Sequence, residues 1–358
     1  MGLAIPVVWS DRHRLHEPDG EVWVGVRTPG TELPARAERI RDALADAGAG
    51  FVDAERHPDE AVLAVHDPSL LSHLAQAWDE WEAAGLTDEP GQDRVVPYVF
   101  PLPGLFAHGS AEIPAAIGAR AGYFAFDTMT LIGPGTWEAA RSAVDVALTA
   151  TDLVLAGESA AYACCRPPGH HAARTCFGGS CYLNNSAAAA ARLRAAGGGP
   201  VAVIDVDAHH GNGTQEIFYD DPEVLVGSVH VDPGAGWFPH FLGFEDETGA
   251  GAGDGANLNL PLAPGSDDER WLEAVARLAA WARERGARAL VVPLGVDAAE
   301  GDPESPLTVT AAGFRAAGRV LAELDLPTVV VQEGGYDLAA IGELVREALA
   351  GIEEGRES

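Results

Sequence analysis

Short runs of apolar residues alternate along the chain with longer segments in which apolar positions recur every three or four residues. The short runs are typical of buried strands, and the longer segments are typical of amphipathic helices. This alternation favours an α/β fold with a parallel sheet and helices on both faces. The runs predict strands over Ile5–Trp9, Tyr162–Cys165, Val201–Val206, Val224–Val231, Ala289–Leu294 and Thr328–Gln332. The helical periodicity predicts helices over Arg36–Ala47, Pro68–Ala84, Thr136–Ala156, Ser186–Ala196, Asp268–Arg285, Thr310–Glu323 and from near Asp337.

Two long segments, Thr87–Gly133 and Asp232–Pro264, follow neither pattern and are rich in proline and glycine. Loops of this length in a compact domain are usually functional or disordered. The aromatic residues in them argue against disorder and predict the rim of a site. These residues are Tyr98, Phe100, Phe106, Trp237, Phe238, Phe241 and Phe244.

Composition narrows the class of partner. The chain has 358 residues, of which 47% are hydrophobic, and this permits one large α/β domain or two smaller ones. It carries 54 acidic against 23 basic residues, with a net charge of −31 and no lysine. Nucleic acid is not expected as a partner because its binding needs a basic surface, whereas an acidic field can steer cationic substrates. No segment has the features of a secretion signal or a membrane span, so we expect a soluble, cytoplasmic protein without membrane contact.

The cysteines do not predict a structural metal site. Their spacing is not that of a zinc knuckle, and a cytosolic chain would keep them reduced. We expect them to act mainly as small buried side chains. They are Cys164, Cys165, Cys176 and Cys181.

Four of the predicted strands run directly into polar residues. The sequences that follow them are RPPGHHA, DAHHGNG, GVDAAEGDP and EGGYD. In open parallel sheets, sites form at the carboxyl ends of the strands. The pattern therefore predicts one site, with candidate residues His170, His171, Asp207, His209, Asp297 and Tyr336.

Three of these candidates have the chemistry of a metal site. Asp207 and His209 are two positions apart, so in an extended segment their side chains point to the same side. Asp297, from another strand, is the natural third ligand. Two oxygen ligands and one nitrogen ligand suit a divalent cation such as Zn²⁺ or Fe²⁺ and leave a position open for water.

The adjacent pair His170 and His171 indicates acid–base chemistry. Two neighbouring imidazoles do not both become charged readily, so their pKa values should separate, and one can act as an acid while the other acts as a base. Each needs a partner for its second ring nitrogen, and Asp205 and Asn212 are suitable. Tyr336 follows two glycines and could donate a hydrogen bond to a developing oxyanion.

Taken together, the motifs RPPGHHA, DVDAHHGNGTQ, LGVD and EGGY resemble those of the histone deacetylase superfamily, in its bacterial and class II-like branch. The segments HDPSLLSHLAQAWDEWEAAG, PGTWEAA, CFGGSCYLNN and FPHFLGFEDETGAGAG are similar to the acetylpolyamine amidohydrolases within it. The resemblance implies an arginase-like fold, with a central, mostly parallel eight-stranded sheet flanked by helices. It also implies a single deacetylase domain over residues 1–358, with a loop insertion at about 87–133 that narrows the substrate channel and makes a homodimer.

The resemblance also implies a role for each candidate residue. His171 would be the general base and then protonate the leaving amine, and His170, paired with Asp205, would give electrostatic support. Asn212 would lie behind His171, and Tyr336 would donate to the oxyanion. One Zn²⁺ per chain would be bound by Asp207, His209 and Asp297. A structural K⁺ would lie near Asp205, Asp207, His209, Ser228 and Val229. The substrate tunnel would be lined by Phe177, Gly179 and Phe238.

The sequence departs from its relatives where they hold the distant ammonium group of the substrate. The positions expected to be acidic are Gly118 and Met129, and Ser180 stands where we expect a tyrosine of the tunnel wall. Removing that tyrosine should widen the tunnel. The acids that could compensate are Glu17 and Glu21 in the N-terminal loop, with Glu112 and Asp127 nearby.

The expected activity is zinc-dependent hydrolysis of N-acetylated amines, with acetylpolyamines as the first choice of substrate. Another small N-acetyl metabolite or acetyl-lysine is the alternative. An arginase-type ureohydrolase would need two manganese ions, and His170, His171 and Asn212 occupy the positions of the second. A non-catalytic protein that binds acetyl ligands would keep the pocket, but it would lose the catalytic tyrosine or a histidine.

Overall fold

The fold is a parallel sheet with helices packed on both faces. The computed structural model describes residues 2–106, 111–197 and 199–357. The strands are β1 (Val7–Trp9), β2 (Glu21–Trp23), β3 (Val26–Thr28), β4 (Phe51–Asp53), β5 (Ala160–Ala163), β6 (Val201–Asp205), β7 (Val224–Val231), β8 (Asn257–Leu262), β9 (Ala289–Leu294) and β10 (Thr328–Gln332). The α-helices are α1 (Pro34–Asp46), α2 (Glu60–Leu63), α3 (Pro68–Ala83), α4 (Ile117–Phe124), α5 (Thr136–Leu155), α6 (Asn185–Ala196), α7 (Asn212–Phe218), α8 (Asp268–Glu284), α9 (Ala311–Ala322) and α10 (Ile341–Glu357).

One sheet contains eight of these strands in the order β4-β1-β5-β10-β9-β6-β7-β8, and every neighbouring pair is parallel. This confirms the prediction of a central, mostly parallel eight-stranded sheet flanked by helices. Strands β2 and β3 form a separate antiparallel hairpin. Val24 and Gly25 connect them, both with positive φ, as a two-residue hairpin turn requires.

The core lies on both sides of the sheet. Helices α1, α8, α9 and α10 cover one face and α3, α5 and α6 cover the other, each contributing to a buried apolar cluster. Within β10, Val330 belongs to the first cluster, whereas Val329 and Val331 belong to the second, because side chains alternate along a strand. Burial on both faces explains why the central strands are almost continuously apolar in sequence.

All six predicted strands are present, but two further sheet strands, β4 and β8, were not predicted. Strand β8 lies inside the segment Asp232–Pro264, and its sequence NLNLPL alternates Asn257 and Asn259 with leucine. Both asparagines are buried and donate hydrogen bonds to the side-chain oxygen of Gln215. The side-chain N–H groups of a polar alternation that normally indicates a half-exposed strand therefore find acceptors inside the protein.

The observed boundaries of two elements differ from the predicted ones. The predicted strand Tyr162–Cys165 is observed as Ala160–Ala163, since the ladder with β10 begins where Thr328 pairs with Ala160. The last helix begins at Ile341 rather than near Asp337, because residues 337–340 form a turn closed by the carbonyl of Asp337. The short helices α2 and α7 were not predicted.

The four strands that end in polar residues are consecutive in the sheet, in the order β5-β10-β9-β6. Because they are parallel, their carboxyl ends meet at one edge near the middle of the sheet. The segment 87–133, of which residues 107–110 lie outside the described residues, contains α4. Among the described residues, no helix is long and apolar enough to cross a membrane.

Candidate active site

Asp207, His209 and Asp297 form a compact ligand set at the carboxyl ends of β6 and β9. One ligand atom from each lies within 4.8 Å of the others. His209 Nδ1 is 3.3 Å from Asp207 Oδ1 and 3.0 Å from Asp297 Oδ2. Both aspartates are fully buried, and two adjacent buried carboxylates require a compensating cation.

The surroundings of these carboxylates fit a metal ion. A Cβ atom on Gly334 or Gly295 would collide with the oxygen atoms of Asp207, so only glycine leaves room for the carboxylate there. The backbone N–H group of Gly334 donates to Asp207 Oδ2 at 2.8 Å, and that of Ala208 donates to Asp297 Oδ1 at 2.9 Å. These bonds fix the orientation of both carboxylates. Two carboxylate oxygens and one imidazole nitrogen are the donor set of a Zn²⁺ or Fe²⁺ site.

A second group with metal-ligand side chains, His170, Cys181 and Glu333, is already satisfied by the protein. The Glu333 carboxylate accepts hydrogen bonds from the backbone of Gly169 and His170 and from the hydroxyl of Ser186. Burial raises the pKa of the Cys181 thiol well above its usual value, which keeps it protonated. This group stabilises the loop after β5 and needs no ion.

His170 and His171 lie side by side, with ring centroids 4.0 Å apart, but their partners differ. His170 Nδ1 is 3.0 Å from Asp205 Oδ2, and His171 Nδ1 is 2.7 Å from Asn212 Oδ1. Burial disfavours charge on both rings. The carboxylates of Asp207 and Asp205 nevertheless raise the pKa of His170 to about 10, whereas burial and the charges of His170 and His209 lower the pKa of His171 well below its usual value.

The pair can therefore hold one positive charge on His170 and leave His171 neutral. This arrangement is the separation of acid and base roles that the sequence predicted. A neutral His171, with its Nδ1 at Asn212, has the other ring nitrogen available to take a proton. The assignment of the Nδ1 proton follows from the hydrogen-bond partner of each ring.

Three of the residues predicted to lie near K⁺, namely Asp205, Ser228 and Val229, belong to the neighbouring strands β6 and β7. Asp205 and Ser228 are directly opposite each other in the β6–β7 ladder. The Asp205 carboxylate accepts the N–H of Asp207, and Ser228 Oγ lies 2.8 Å from His230 Nδ1. Val229 is fully buried next to Ser228. The K⁺ site itself stays a prediction.

Tyr336 is held at the carboxyl end of β10 by two neighbours. Its backbone N–H donates to Asp302 Oδ2 at 2.7 Å. The guanidinium carbon of Arg36 lies 4.5 Å from the centroid of its ring. Arg36 is buried and also donates to the carbonyls of Gly335 and Glu333. These contacts fix the tyrosine while leaving it at the wall of a pocket.

That pocket has a volume of about 460 Å³. It is lined by the candidate metal ligand His209 and by two of the aromatic residues predicted as the rim, Trp237 and Phe238. Its lining residues are Glu21, Trp23, Thr28, Thr31, Met129, His171, Gly179, Ser180, His209, Gly236, Trp237, Phe238, His240, Glu304 and Tyr336. The Phe238 ring meets the His171 ring edge to face, at 4.8 Å between centroids. A Cβ atom on Gly179 would collide with the His171 ring, and Gly179 has φ of +59°.

Two predicted substrate residues lie elsewhere. Phe177 is only 2% exposed and stacks on Tyr182, with centroids 5.7 Å apart, because its backbone pairs with Ala125 and turns the ring into the core. It is not in the pocket lining, so its prediction as a tunnel residue was wrong. Glu17 is exposed and outside the lining, since its segment is held by Arg94, which donates to the Glu17 carbonyl. The prediction of Glu17 as a substrate-binding residue was therefore wrong as well.

Of the positions where the sequence departs from its relatives, some line the pocket and others do not. Met129 and Ser180 line the pocket, whereas Gly118 lies in α4 away from it. Glu112 is exposed. Asp127 accepts hydrogen bonds from the backbone of Met129, Thr130 and Gly179. Its carboxylate therefore holds the pocket wall in place.

The sequence analysis did not identify Glu304, Trp23 or Asp302 as site residues, whereas Trp237, which lines the pocket, was predicted as part of the rim. The signal for the two acids was present, because both belong to the segment GVDAAEGDPE that follows β9 and contains Asp297. Trp23 gave a weaker signal, since nothing in the sequence brings the β2–β3 hairpin to the carboxyl edge of the main sheet.

Comparison with known proteins identifies this constellation. The family model for the histone deacetylase domain matches residues 31–352 of this chain. The chain belongs to the histone deacetylase family. It is 43% identical to the acetylpolyamine amidohydrolase of Mycoplana ramosa, over 97% of this chain and 99% of the relative. It is 40% identical to acetylpolyamine amidohydrolase 1 of Pseudomonas aeruginosa, over 97% and 98%. The crystal structure of the acetylpolyamine aminohydrolase of Burkholderia pseudomallei superposes with a TM-score of 0.90, at 36% identity, over 98% of this chain and 99% of that one. The resemblance inferred from the motifs is confirmed.

Proposed function

We propose that this protein is a zinc-dependent deacetylase that hydrolyses mono-N-acetylated polyamines. The observation that carries the proposal is one pocket lined by His171, His209 and Tyr336. Two glutamates, Glu21 and Glu304, line the same pocket. Full-length similarity to acetylpolyamine amidohydrolases supports the same substrate class.

Zn²⁺ would be held by Asp207, His209 and Asp297. The ion supplies Lewis acidity toward the acetyl carbonyl and the attacking water. The charge of the two buried aspartates matches that of a divalent cation, and the glycines beside them leave the ligand oxygens accessible. K⁺ binding near Asp205 and Ser228 stays a prediction.

The protein groups divide the proton transfers between them. Water attacks the acetyl carbonyl, and the free ring nitrogen of neutral His171 accepts the proton that the water loses. The Tyr336 hydroxyl donates a hydrogen bond to the oxyanion as it forms. His171 then gives its proton to the leaving amine nitrogen as the C–N bond breaks. His170, kept positive by Asp205, stabilises the negative charge without changing protonation.

The test is a deacetylation screen of the zinc-loaded protein. The substrates are N-acetylputrescine, N-acetylcadaverine, N8-acetylspermidine and an acetyl-lysine peptide. We expect turnover of the polyamines and a loss of about 10²- to 10³-fold in kcat in Tyr336→Phe, the magnitude of one oxyanion donor. Hydrolysis of the acetyl-lysine peptide alone would refute the polyamine assignment and retain the deacetylase chemistry. No hydrolysis of any substrate would refute both.

We also propose a homodimer that forms through the apolar surface beside the pocket. Three large apolar side chains that line one neighbouring cavity are exposed there, Val24 at 83%, Phe241 at 85% and Leu242 at 41%. Contiguous exposed apolar surface is typical of an interface. Light scattering should give twice the mass of the chain, and Phe241→Asp should give the monomer. The single-domain assignment and the cytoplasmic location stay predictions.

A further inference from the structure

The wall of the pocket beside His171 belongs to a segment with little regular structure of its own. The Phe238 ring meets the His171 ring edge to face, and Phe238 lies in the segment 232–256 between β7 and β8. The structure describes all of this segment, and its regular elements are two 3₁₀ turns, Pro233–Ala235 and Gly251–Gly253. The position of Phe238 therefore depends on hydrogen bonds made further along the segment.

Gly243 is the point at which this segment is attached to the sheet. Its N–H group donates to both oxygens of the Glu247 carboxylate, at 3.0 and 3.2 Å, and its carbonyl lies 2.8 Å from His230 Nε2 on β7. A Cβ atom at Gly243 would lie 2.8 Å from the His210 ring, and its φ is +102°, so the close approach requires glycine. The segment that carries Phe238 is thus packed directly on β7 and on the loop after β6.

The buried amide of Gln215 joins Glu247 to α7 and β8. Its Nε2 donates to Glu247 Oε2 at 2.6 Å. Its Oε1 accepts hydrogen bonds from the side chains of Asn257 and Asn259, both at 2.9 Å, and lies 3.0 Å from His210 Nε2. A carboxylate only accepts hydrogen bonds, so the amide must turn its NH₂ group toward Glu247 and its oxygen toward the other donors. The orientation of Gln215 is therefore fixed.

These bonds complete a closed ring of contacts that includes the general base. His171 Nδ1 lies 2.7 Å from Asn212 Oδ1, and Asn212 is the first residue of α7, one turn before Gln215. Gln215 is bonded to Glu247, and Glu247 holds the segment that carries Phe238. The Phe238 ring then returns to the His171 ring. The residue that orients the base and the wall that confines it therefore depend on the same pair of side chains.

We propose that Gln215 and Glu247 are positioning residues for the deacetylation site, which together set the place of Phe238 and the orientation of His171. Neither side chain lines the pocket, so both act through these two neighbours. The kinetic consequence of this inference rests on the proposed function, whereas the attachment of the wall does not. Small displacements of a group that positions a substrate cost much of the rate, which is why the attachment matters.

Reversing the polarity of the bond tests the pair. Gln215→Glu replaces the amide nitrogen, 2.6 Å from Glu247 Oε2, by a second carboxylate oxygen, and the two carboxylates should repel. Adding Glu247→Gln supplies a donor for the new carboxylate, which still accepts from Asn257 and Asn259. The double variant should therefore recover what the single variant loses. Glu245→Gln is the matched control, because Glu245 is exposed on the same segment and outside the pocket lining.

Steady-state kinetics of the zinc-loaded protein on N-acetylcadaverine gives the functional result. We expect Gln215→Glu to lower kcat by about 10- to 100-fold, because α7 and the base lose their orientation. The double variant should return to within about threefold of the wild type, and Glu245→Gln should match it. Circular dichroism verifies that each variant is folded at the assay temperature. An unchanged kcat in folded Gln215→Glu would overturn the inference, and so would a double variant no better than the single one.

Glu247→Ala separates the wall from the base. Glu247 is half-buried, and its loss leaves Gln215 bonded to β8, so Asn212 should keep its place. We expect KM to rise about fourfold or more, the effect of one methylene group no longer covered by the wall, with kcat within about twofold of the wild type. A residue that only stabilised the fold would change the melting temperature and neither kinetic constant. This variant also keeps the inference testable if Gln215→Glu does not fold.

Hydrogen exchange distinguishes this inference from the proposed function, since it needs neither catalysis nor metal. Mass spectrometry follows amide exchange in peptides that cover residues 237–244. We expect Glu247→Ala to raise exchange there at least about tenfold, because the N–H of Gly243 loses its acceptor, while peptides from α9 exchange as in the wild type. Unchanged exchange would overturn the inference even if the wild type deacetylates polyamines. Raised exchange in a protein that hydrolyses nothing would refute the deacetylase proposal and retain the attachment of the wall.

Discussion

The carboxylate of Asp302 accepts the backbone N–H group of Tyr336 at 2.7 Å, although the two residues follow different strands of the sheet. The same side chain accepts the N–H groups of Glu304 and Asp337. Asp302 does not line the pocket, yet it fixes two residues that do. It is therefore a positioning residue for both ends of the proposed substrate.

Asp302→Asn should disturb the positions of both Tyr336 and Glu304. The amide NH₂ cannot accept the N–H groups that the carboxylate accepts, so Tyr336 and Glu304 both lose an anchor. We expect kcat to fall about 10-fold or more on charged and neutral substrates alike, with an additional rise in KM for the charged one only. Steady-state kinetics on N-acetylcadaverine, which is charged, and on its neutral counterpart N-pentylacetamide measures this. A rise in KM that is equal for both substrates would contradict the role.

Asp297→Asn should weaken zinc binding, because it replaces a charged ligand that faces Asp207 and His209. In the wild type, zinc at 100 times its Kd should add about 2.7 kcal/mol to the free energy of unfolding. The variant should lose most of this gain at the same zinc concentration. Zinc content after dialysis and the melting temperature with and without zinc are the measurements.

Asp246→Asn is the control for zinc binding, because Asp246 is exposed and away from the ligand set. It should bind zinc like the wild type. A full zinc complement in Asp297→Asn would remove Asp297 from the ligand set.

The preference for charged substrates should depend on pH through Glu21. Burial and the neighbouring carboxylates raise its pKa to about 7, so it gains its charge between pH 6 and 8. We expect the ratio of kcat/KM for N-acetylcadaverine to that for N-pentylacetamide to rise about tenfold over this range, as the ionised fraction does. Taking the ratio cancels the titration of groups that act on both substrates.

Glu21→Gln should remove this pH dependence. A ratio that still rises with pH in Glu21→Gln would show that Glu21 is not the group responsible.

Glu32→Gln should destabilise the fold behind the site. Glu32 is buried and lies 2.9 Å from Arg36 Nη1 and 2.8 Å from Arg166 Nε. Burial alone would raise its pKa, but Arg166 and Arg36 hold the pKa below its usual value. Removing the charge leaves two buried guanidinium groups without compensation, and we expect a loss of about 3–5 kcal/mol.

The sign with pH follows from the lowered pKa of the folded state. The contribution of Glu32 is complete above its unfolded pKa of about 4.3 and is lost as pH falls through the folded value. Denaturant unfolding at pH 7 should therefore give a larger difference between Glu32→Gln and the wild type than unfolding in acid. A constant difference across this range would show that packing, rather than charge, is lost.

The chemistry of the site could be predicted from the sequence because it depends on local spacing. Asp207 and His209 point the same way through the two-residue period of extended backbone, and four apolar runs each ended in polar residues. Parallel strands then bring these ends together without any knowledge of detailed packing. The adjacency of His170 and His171 made the separation of their pKa values foreseeable for the same reason.

The sequence alone determined the α/β pattern and supplied the candidates for the metal ligands, the histidine pair and the oxyanion donor, since each is carried by residues close together in the chain. Only the tertiary structure decided which side chains face the pocket. Phe177 turns into the core and Glu17 stays outside, whereas Glu21 and Glu304, which are 283 positions apart in the sequence, line one pocket. Such contacts depend on the folded paths of loops and on hydrogen bonds such as that from Tyr336 to Asp302. No local periodicity encodes them, because the residues that meet are distant in sequence.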